Sequence, residues 1–201
     1  MEDTIVWTIG LFIVLFVAII VIAIYFGWRQ NKTIKTLLGK EAQKRNGQVN
    51  KKWGTTELVF PYHDLSITVS STLDSESSPP QTEVATTLGM TSDDYLKISR
   101  KSILSRISRS SKVQTILSGN NEFDARFTVK GTDENLIKRL VSFELQREML
   151  LLEKYNPRLI LRNNRLSLSI FYIPNTEEEY DQVIEAMLLV IDKLEELKKI
   201  L

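Results

Sequence analysis

Hydrophobic residues follow three different patterns along this chain. From Ile5 to Trp28 (IVWTIGLFIVLFVAIIVIAIYFGW) apolar residues run on with no charge among them. As a helix with ~1.5 Å rise per residue the run extends about 36 Å, against a hydrocarbon core of about 30 Å. A buried helix of a soluble domain is seldom apolar on every face for that length. A secretory signal peptide needs a basic start, a shorter apolar stretch and a small-residue cleavage site. Here Glu2 and Asp3 precede the run, and Arg29, Gln30, Asn31 and Lys32 follow it. The run therefore predicts a single transmembrane helix. Trp7 at one end and Tyr25 and Trp28 at the other fit interfacial aromatic belts, with Arg29 and Lys32 completing the membrane-interface anchors.

The second pattern has period 2. Leu65, Ile67 and Val69 alternate with Ser66, Thr68 and Ser70, which predicts a half-buried strand from Leu65 to Ser71, after another strand at Glu57 to Tyr62. Thr82 to Leu88 is a third strand candidate, set off by a loop from Asp74 to Gln81. Ser92 to Lys112 reads either as one helix capped at Ser92 or as a strand from Tyr95 to Ser99 followed by a short helix from Ser102 to Ile107. The alternation of Leu96 and Ile98 with Lys97 and Ser99 favours the split. Phe123, Ala125, Phe127 and Val129 predict another strand, closed by Gly131. Leu159 to Leu161 and Leu166 to Phe171 flank Asn163-Asn164, a hairpin signal because Asn tolerates positive φ.

The third pattern is helical. Asn31 to Arg45 continues the first helix to a turn at Asn46-Gly47. Thr132 predicts an N-cap, Ser142 restarts a second helix and Pro157 stops it. Thr176 opens a long helix with Glu177, Glu178 and Glu179 in its first turn. Its apolar face is wider than a coiled-coil seam, which points to packing across its own sheet. The expected organisation is a transmembrane anchor at 1–30, a basic juxtamembrane stalk at 31–53 and one soluble α+β domain at 54–201. In that domain a mainly antiparallel sheet is packed by a helical hairpin and a long C-terminal helix.

Charge gives the anchor a direction. Arg29, Lys32, Lys35, Lys40, Lys44, Arg45, Lys51 and Lys52 follow it, opposed only by Glu41, whereas only acids precede it. The positive-inside bias puts the N-terminus outside and the soluble domain in the cytoplasm of a single-pass cell-membrane protein. With 26 basic and 25 acidic residues the net charge is +1, so nothing global points to nucleic acid.

Composition removes much of catalytic chemistry. The absence of cysteine excludes disulfides, thiol nucleophiles and cysteine-ligated metals. His63 is the single histidine, sits where a turn is expected, and has no G-x-S-x-G elbow to serve. Gly39-Lys40 lacks the rest of a phosphate loop, and no G-x-G-x-x-G occurs. Asp74/Glu76 and Asp93/Asp94 are acidic pairs without EF-hand spacing. No cofactor, metal site or catalytic residue is expected.

One local composition stands out. Lys97, Arg100, Lys101, Arg106, Arg109 and Lys112 occur with no acid between them and with serines interleaved. They form a candidate contact for anions or lipid headgroups, although the missing aromatics argue against base stacking.

Around Gly119 to Gly131 (GNNEFDARFTVKG) the chain resembles uncharacterised prokaryotic membrane-anchored proteins. Their soluble domain carries an F-D-x-x-F-x-V-x-G strand followed by a Leu-rich helical hairpin. Phe123, Asp124, Phe127, Val129 and Gly131 carry the match, with Leu140, Leu145, Leu150 and Leu151 after it. The resemblance covers about residues 55–172 and implies no activity. It implies core roles for the Phe and Val positions and a structural hydrogen-bonding role for Asp124. The expected function is a membrane-tethered cytoplasmic binding or scaffolding module, with the bilayer and a protein or anionic-lipid partner. The alternatives are a membrane-associated enzyme or lipid-binding protein using 97–112, and an accessory subunit of a membrane complex.

Overall fold

The computed structural model describes residues 2–52, 55–73, 79–89, 95–101 and 113–198. The side chains of residues 2–14, 23, 24, 26, 52 and 198 lie outside that description. The chain opens with one helix, α1 (Glu2–Lys44, 43 residues), with no interruption. Among the described residues no helix is long and apolar enough to cross a membrane. The fold therefore lends no support of its own to the span read from Ile5–Trp28, whose described apolar side chains start at Leu15.

Among the described residues nine strands form one antiparallel sheet. They are β1 (Gln48–Lys52), β2 (Thr55–Tyr62), β3 (Leu65–Thr72), β4 (Gln81–Thr87), β5 (Leu96–Arg100), β6 (Gln114–Ile116), β7 (Phe127–Gly131), β8 (Arg158–Arg162) and β9 (Arg165–Ile170). The spatial order is β1-β2-β3-β4-β9-β8-β5-β7-β6. Helices α2 (Asn121–Arg126), α3 (Glu134–Leu140), α4 (Phe143–Leu151) and α5 (Glu177–Lys198) complete the α+β domain.

Alternation sorts the sheet into two faces. Leu58, Val69, Val84, Leu168, Leu159, Ile98, Val129 and Ile116 are successive cross-strand partners, and none is more than 6% exposed. Tyr180, Val183, Ile184, Met187 and Ile191 of α5 belong to the same core. One residue along, Val59, Thr68, Ala85, Ser167, Ile160, Lys97, Lys130 and Thr115 pair in the same way on the opposite face. That row is mostly small or polar, as expected for a sheet packed on one side only.

The stretch read as a basic stalk is part of this domain. Ile34, Leu37, Leu38 and Ala42 are buried in the common core, and β1 pairs with β2. Four apolar residues spaced at i, i+3, i+4 and i+8 give α1 a core-facing stripe that the lysines between them conceal in a count of composition. β1 (QVNKK) and β6 (QTI) carry too few apolar residues to show a strand period.

The strand expected from Phe123 is a helix and then a strand. Asn120 Oδ1 accepts from the backbone N–H groups of Glu122 (3.0 Å) and Phe123 (3.3 Å), which starts α2. Phe123 and Phe127 thereby fall one helical turn apart, and both enter the core with rings stacked at 4.9 Å. Likewise Thr132 is not the cap of α3. Its hydroxyl accepts from Tyr95 N–H at 3.1 Å, while Asp133 accepts from Asn135 and Leu136. Ser142 caps α4 and the Thr176 hydroxyl accepts from Glu179 N–H, both as expected. Asn163 and Asn164 have φ of 49° and 61°, forming the tight β8–β9 turn. The split reading of 92–112 holds for its strand, now β5, while the short helix expected at 102–107 lies outside the described residues.

Packing makes two glycine predictions of opposite sign. A Cβ at Gly131 would lie 1.9 Å from Ile137 Cδ1 and 2.6 Å from the Tyr95 carbonyl oxygen. Gly131→Ala is expected to destabilise by about 1–3 kcal/mol through overpacking. A Cβ at Gly39, inside α1, would meet nothing within 4 Å. Gly39→Ala is expected to stabilise by about 1 kcal/mol through helix propensity. Urea titration of the full chain in detergent reads both; equal midpoints for the two variants would contradict the packing.

Candidate functional site

The polar chemistry concentrates in three places, and the first is the junction of α1 with α5. Arg45, just past the end of α1, donates through Nε to Glu41 (3.1 Å) and through Nη2 to Asp181 (2.5 Å) and Glu185 (2.8 Å). Its guanidinium also stands 5.5 Å from the centre of the Phe60 ring on β2. Lys44 pairs with Asp181, and Lys40 with Glu177 at 3.0 Å. The fork of Arg is suited to this role because it makes several directed bonds at once.

Burial governs the titration of this cluster. Glu41 is only 1% exposed. Burial raises its pKa above the ordinary carboxylate range, against the lowering effect of its bond from Arg45. Burial also pushes Asp181 upward, but the bonds from Lys44 and Arg45 outweigh it and hold Asp181 below its usual value. Such a cluster is a clamp rather than a reactive centre: each carboxylate already faces a cation.

The second place is the basic segment singled out in the sequence, of which Lys97, Arg100 and Lys101 are described. Lys97 lies on the outer face of β5. Arg100 Nε lies 3.5 Å from Glu153, and Lys101 Nζ donates to the Asp124 carbonyl. Arg106, Arg109 and Lys112 lie outside the described residues. Lys97 instead gains neighbours from other strands. Lys130 is its direct cross-strand partner on β7, and Arg158 enters from the end of β8. Burial, then the charges of Arg158 and Lys130, lower the Lys97 pKa. Sequence reading missed Lys130 and Arg158. The alternation of FTVKG places Lys130 on the outer face, but nothing local reveals which strands adjoin.

The third place is a cleft of about 340 Å³ where α1 meets the sheet edge. Trp28, Asn31, Lys32 and Lys35 line it from α1, faced by Val49 and Lys51 of β1 and Thr56 of β2. Lys32 Nζ stands 5.7 Å from the centre of the Trp28 ring. Of the expected interface anchors, Trp28 and Lys32 thus meet at one site. Tyr25 and Arg29 are exposed on the same helix, and the Trp7 side chain lies outside the described ones.

Of the remaining candidates, His63 and Asp124 are tied into the fold by their contacts. His63 occupies the β2–β3 turn with φ 50°, and its Nε2 lies 3.1 Å from Asp192 on α5. A second, open cleft of about 490 Å³ runs beside this turn, past Asn46, Gln48 and Asn50. Asp124 accepts from Ser118 N–H (3.0 Å) and Gly119 N–H (3.2 Å), tying down the loop before α2. The pairs Asp74/Glu76 and Asp93/Asp94 lie outside the described residues. Among the described residues no group of three or more His, Asp or Glu could hold a metal ion.

Two measurements follow from this electrostatics. Arg45→Ala leaves Glu41 buried without its partner, an expected loss of about 3–5 kcal/mol near neutral pH. Glu41 already has a raised folded pKa, and losing Arg45 raises it further. A raised folded pKa means that the folded form takes up a proton more readily, so the penalty shrinks as pH falls towards the ordinary carboxylate range. A loss that does not change with pH would contradict this. Lys97→Thr removes a like-charge pair directly across two strands and is expected to stabilise by about 0.2–1 kcal/mol. A lower urea midpoint for this variant would count against the pairing.

No protein-family model and no curated protein matches the sequence. Among solved structures, the fold is similar to the crystal structure of the mycobacterial trehalose monomycolate transport factor A, TtfA. The TM-score is 0.51 at 9% sequence identity, covering 82% of this chain and 94% of that one. At this identity the likeness is one of fold.

Proposed function

We propose that this protein is a single-span membrane protein whose α+β domain is held at the cytoplasmic surface of the bilayer as a binding or scaffolding module. The observation that carries the reading is the continuity of α1. One unbroken helix bears the apolar run at one end and, from Ile34 to Ala42, a stripe buried in the domain core. Its described apolar section is uncovered by protein: Phe16 is 65% exposed and Ile19 63%. Large apolar side chains bare on successive turns of one helix belong in contact with something apolar. The lipid bilayer is the partner that fits an apolar run of this length.

The Arg45 clamp gives the tether a consequence. A helix locked to α5 and to the sheet cannot swing like a flexible linker, so the domain meets the membrane in one orientation. A module held in one pose serves partners that are themselves fixed in the membrane. The fold likeness to a protein described as a transport factor favours, as a second reading, an accessory subunit of a membrane complex.

The lack of cysteine makes topology directly testable. Glu2→Cys and Ser66→Cys, each in the full chain, report on the two sides of the helix. In intact cells a membrane-impermeant maleimide is expected to label the first and to reach the second only after permeabilisation. The opposite labelling would reverse the orientation. Release of the chain by alkaline carbonate would remove the span altogether.

A further inference from the structure

The cleft between α1 and the sheet edge combines features that neither topology nor folding requires. Trp28, Asn31, Lys32 and Lys35 are spaced i, i+3, i+4 and i+7, so they share one side of the helix. Lys51 joins them from β1, a strand whose pairing with β2 is what brings it there. Three lysines therefore line a volume of about 340 Å³ with no carboxylate among its lining residues. Among the described residues, Lys32, Lys35 and Lys51 make no ion pair, in contrast to Lys40 and Lys44 a few residues on. The apolar side of the cleft is Trp28, 62% exposed, together with Val49.

Depth adds to the argument. Trp28 ends the apolar run. At ~1.5 Å per residue, Lys32 and Lys35 stand about 6 and 10 Å further along the helix axis. The interfacial zone of a bilayer extends roughly 5–8 Å beyond each side of the hydrocarbon core. If α1 spans, Lys32 stands within that zone and Lys35 just beyond it, within side-chain reach of the lipid phosphates, with the Trp28 wall towards the acyl chains.

We infer that this cleft is a binding site for the headgroup of an anionic glycerophospholipid. Lys32, Lys35 and Lys51 hold the phosphate, and Trp28 packs on the glycerol and upper acyl region. A zwitterionic headgroup fits less well. Its ammonium would meet three cations and no carboxylate, and one aromatic face offers it little in return. The inference rests on the membrane reading above and adds a ligand class and a location to it.

The test uses the full chain purified in mild detergent and native mass spectrometry with phosphatidylglycerol or phosphatidylcholine as probe. The expected result is one retained phosphatidylglycerol, with phosphatidylcholine held more weakly. The triple variant Lys32→Gln/Lys35→Gln/Lys51→Gln is expected to lose about tenfold or more in affinity for phosphatidylglycerol. The control Arg139→Gln/Arg147→Gln/Arg162→Gln removes equal charge elsewhere and is expected to bind as the parent does. Equal retention of the two lipids, or equal losses in the two triple variants, would overturn the site. Displacement by inorganic phosphate at the concentration that displaces lipid would overturn the lipid assignment in favour of a free-phosphate site. Carbonate extraction of parent and triple variant separates the two claims. A chain that stays in the membrane but shows no lipid preference loses the site and keeps the tether. A chain that is extracted loses both.

Discussion

The guanidinium of Arg45 is the constraint on which the rest of this molecule depends. It is the point at which α1, α5 and β2 meet, through Glu41, Asp181, Glu185 and the Phe60 ring. Ion pairs at exposed sites contribute little, about 0–1 kcal/mol. This one differs because Arg45 is only 10% exposed and Glu41 2% by side chain. Taking those charges out of water costs more than a surface pair could recover, so the geometry must be fully formed or not formed at all. The result is specificity of arrangement: α1 has one place to sit against the sheet, and that place aligns Lys40, Lys44 and the buried stripe with α5.

The one-sided sheet follows from the same arrangement. With α1 and α5 packed in one core, the outer face carries mostly Thr, Ser and Lys, with Val59, Ala85 and Ile160 the apolar members of its central row. The two basic features are then set well apart. From β1 to β5 is six steps across the sheet, and at ~4.8 Å per step that is about 29 Å. The Debye length near physiological salt is about 8 Å. The Lys97–Lys130–Arg158 group and the cleft at β1 therefore act independently.

What could be read in advance was local. Alternation at Leu65–Val69, turn chemistry at Asn163-Asn164 and capping at Ser142 and Thr176 each rest on contacts a few residues apart, and each matches the fold. The errors come from competition between local rules and distant partners. Phe123 to Val129 alternates, but the Asn120 cap and the turn-spaced Phe pair win, because a helical turn buries both rings. Asn31 to Arg45 reads as a basic stalk because four lysines and Arg45 stand among only four apolar residues, whereas those four, Ile34, Leu37, Leu38 and Ala42, decide where the helix goes. Lys130, Arg158 and Lys51 belong to sites created by strand order, and strand order leaves no mark in a single sequence.

The lysines after the apolar run illustrate how one set of charges can answer to two demands. Topology asks only that cations follow the helix, and any of the eight basic residues from Arg29 to Lys52 would serve. Folding asks that Lys40, Lys44 and Arg45 meet the acids of α5. Neither demand explains why Lys32, Lys35 and Lys51, one of them from a different element, surround a cleft beside an exposed tryptophan. A cleft lined by three cations that make no ion pair among the described residues carries mutual repulsion that an anion would relieve. If α1 spans a bilayer, the anions at the highest local concentration beside that cleft are lipid phosphates. Tether and ligand would then be one device, with the helix choosing the depth and the sheet edge supplying the third cation.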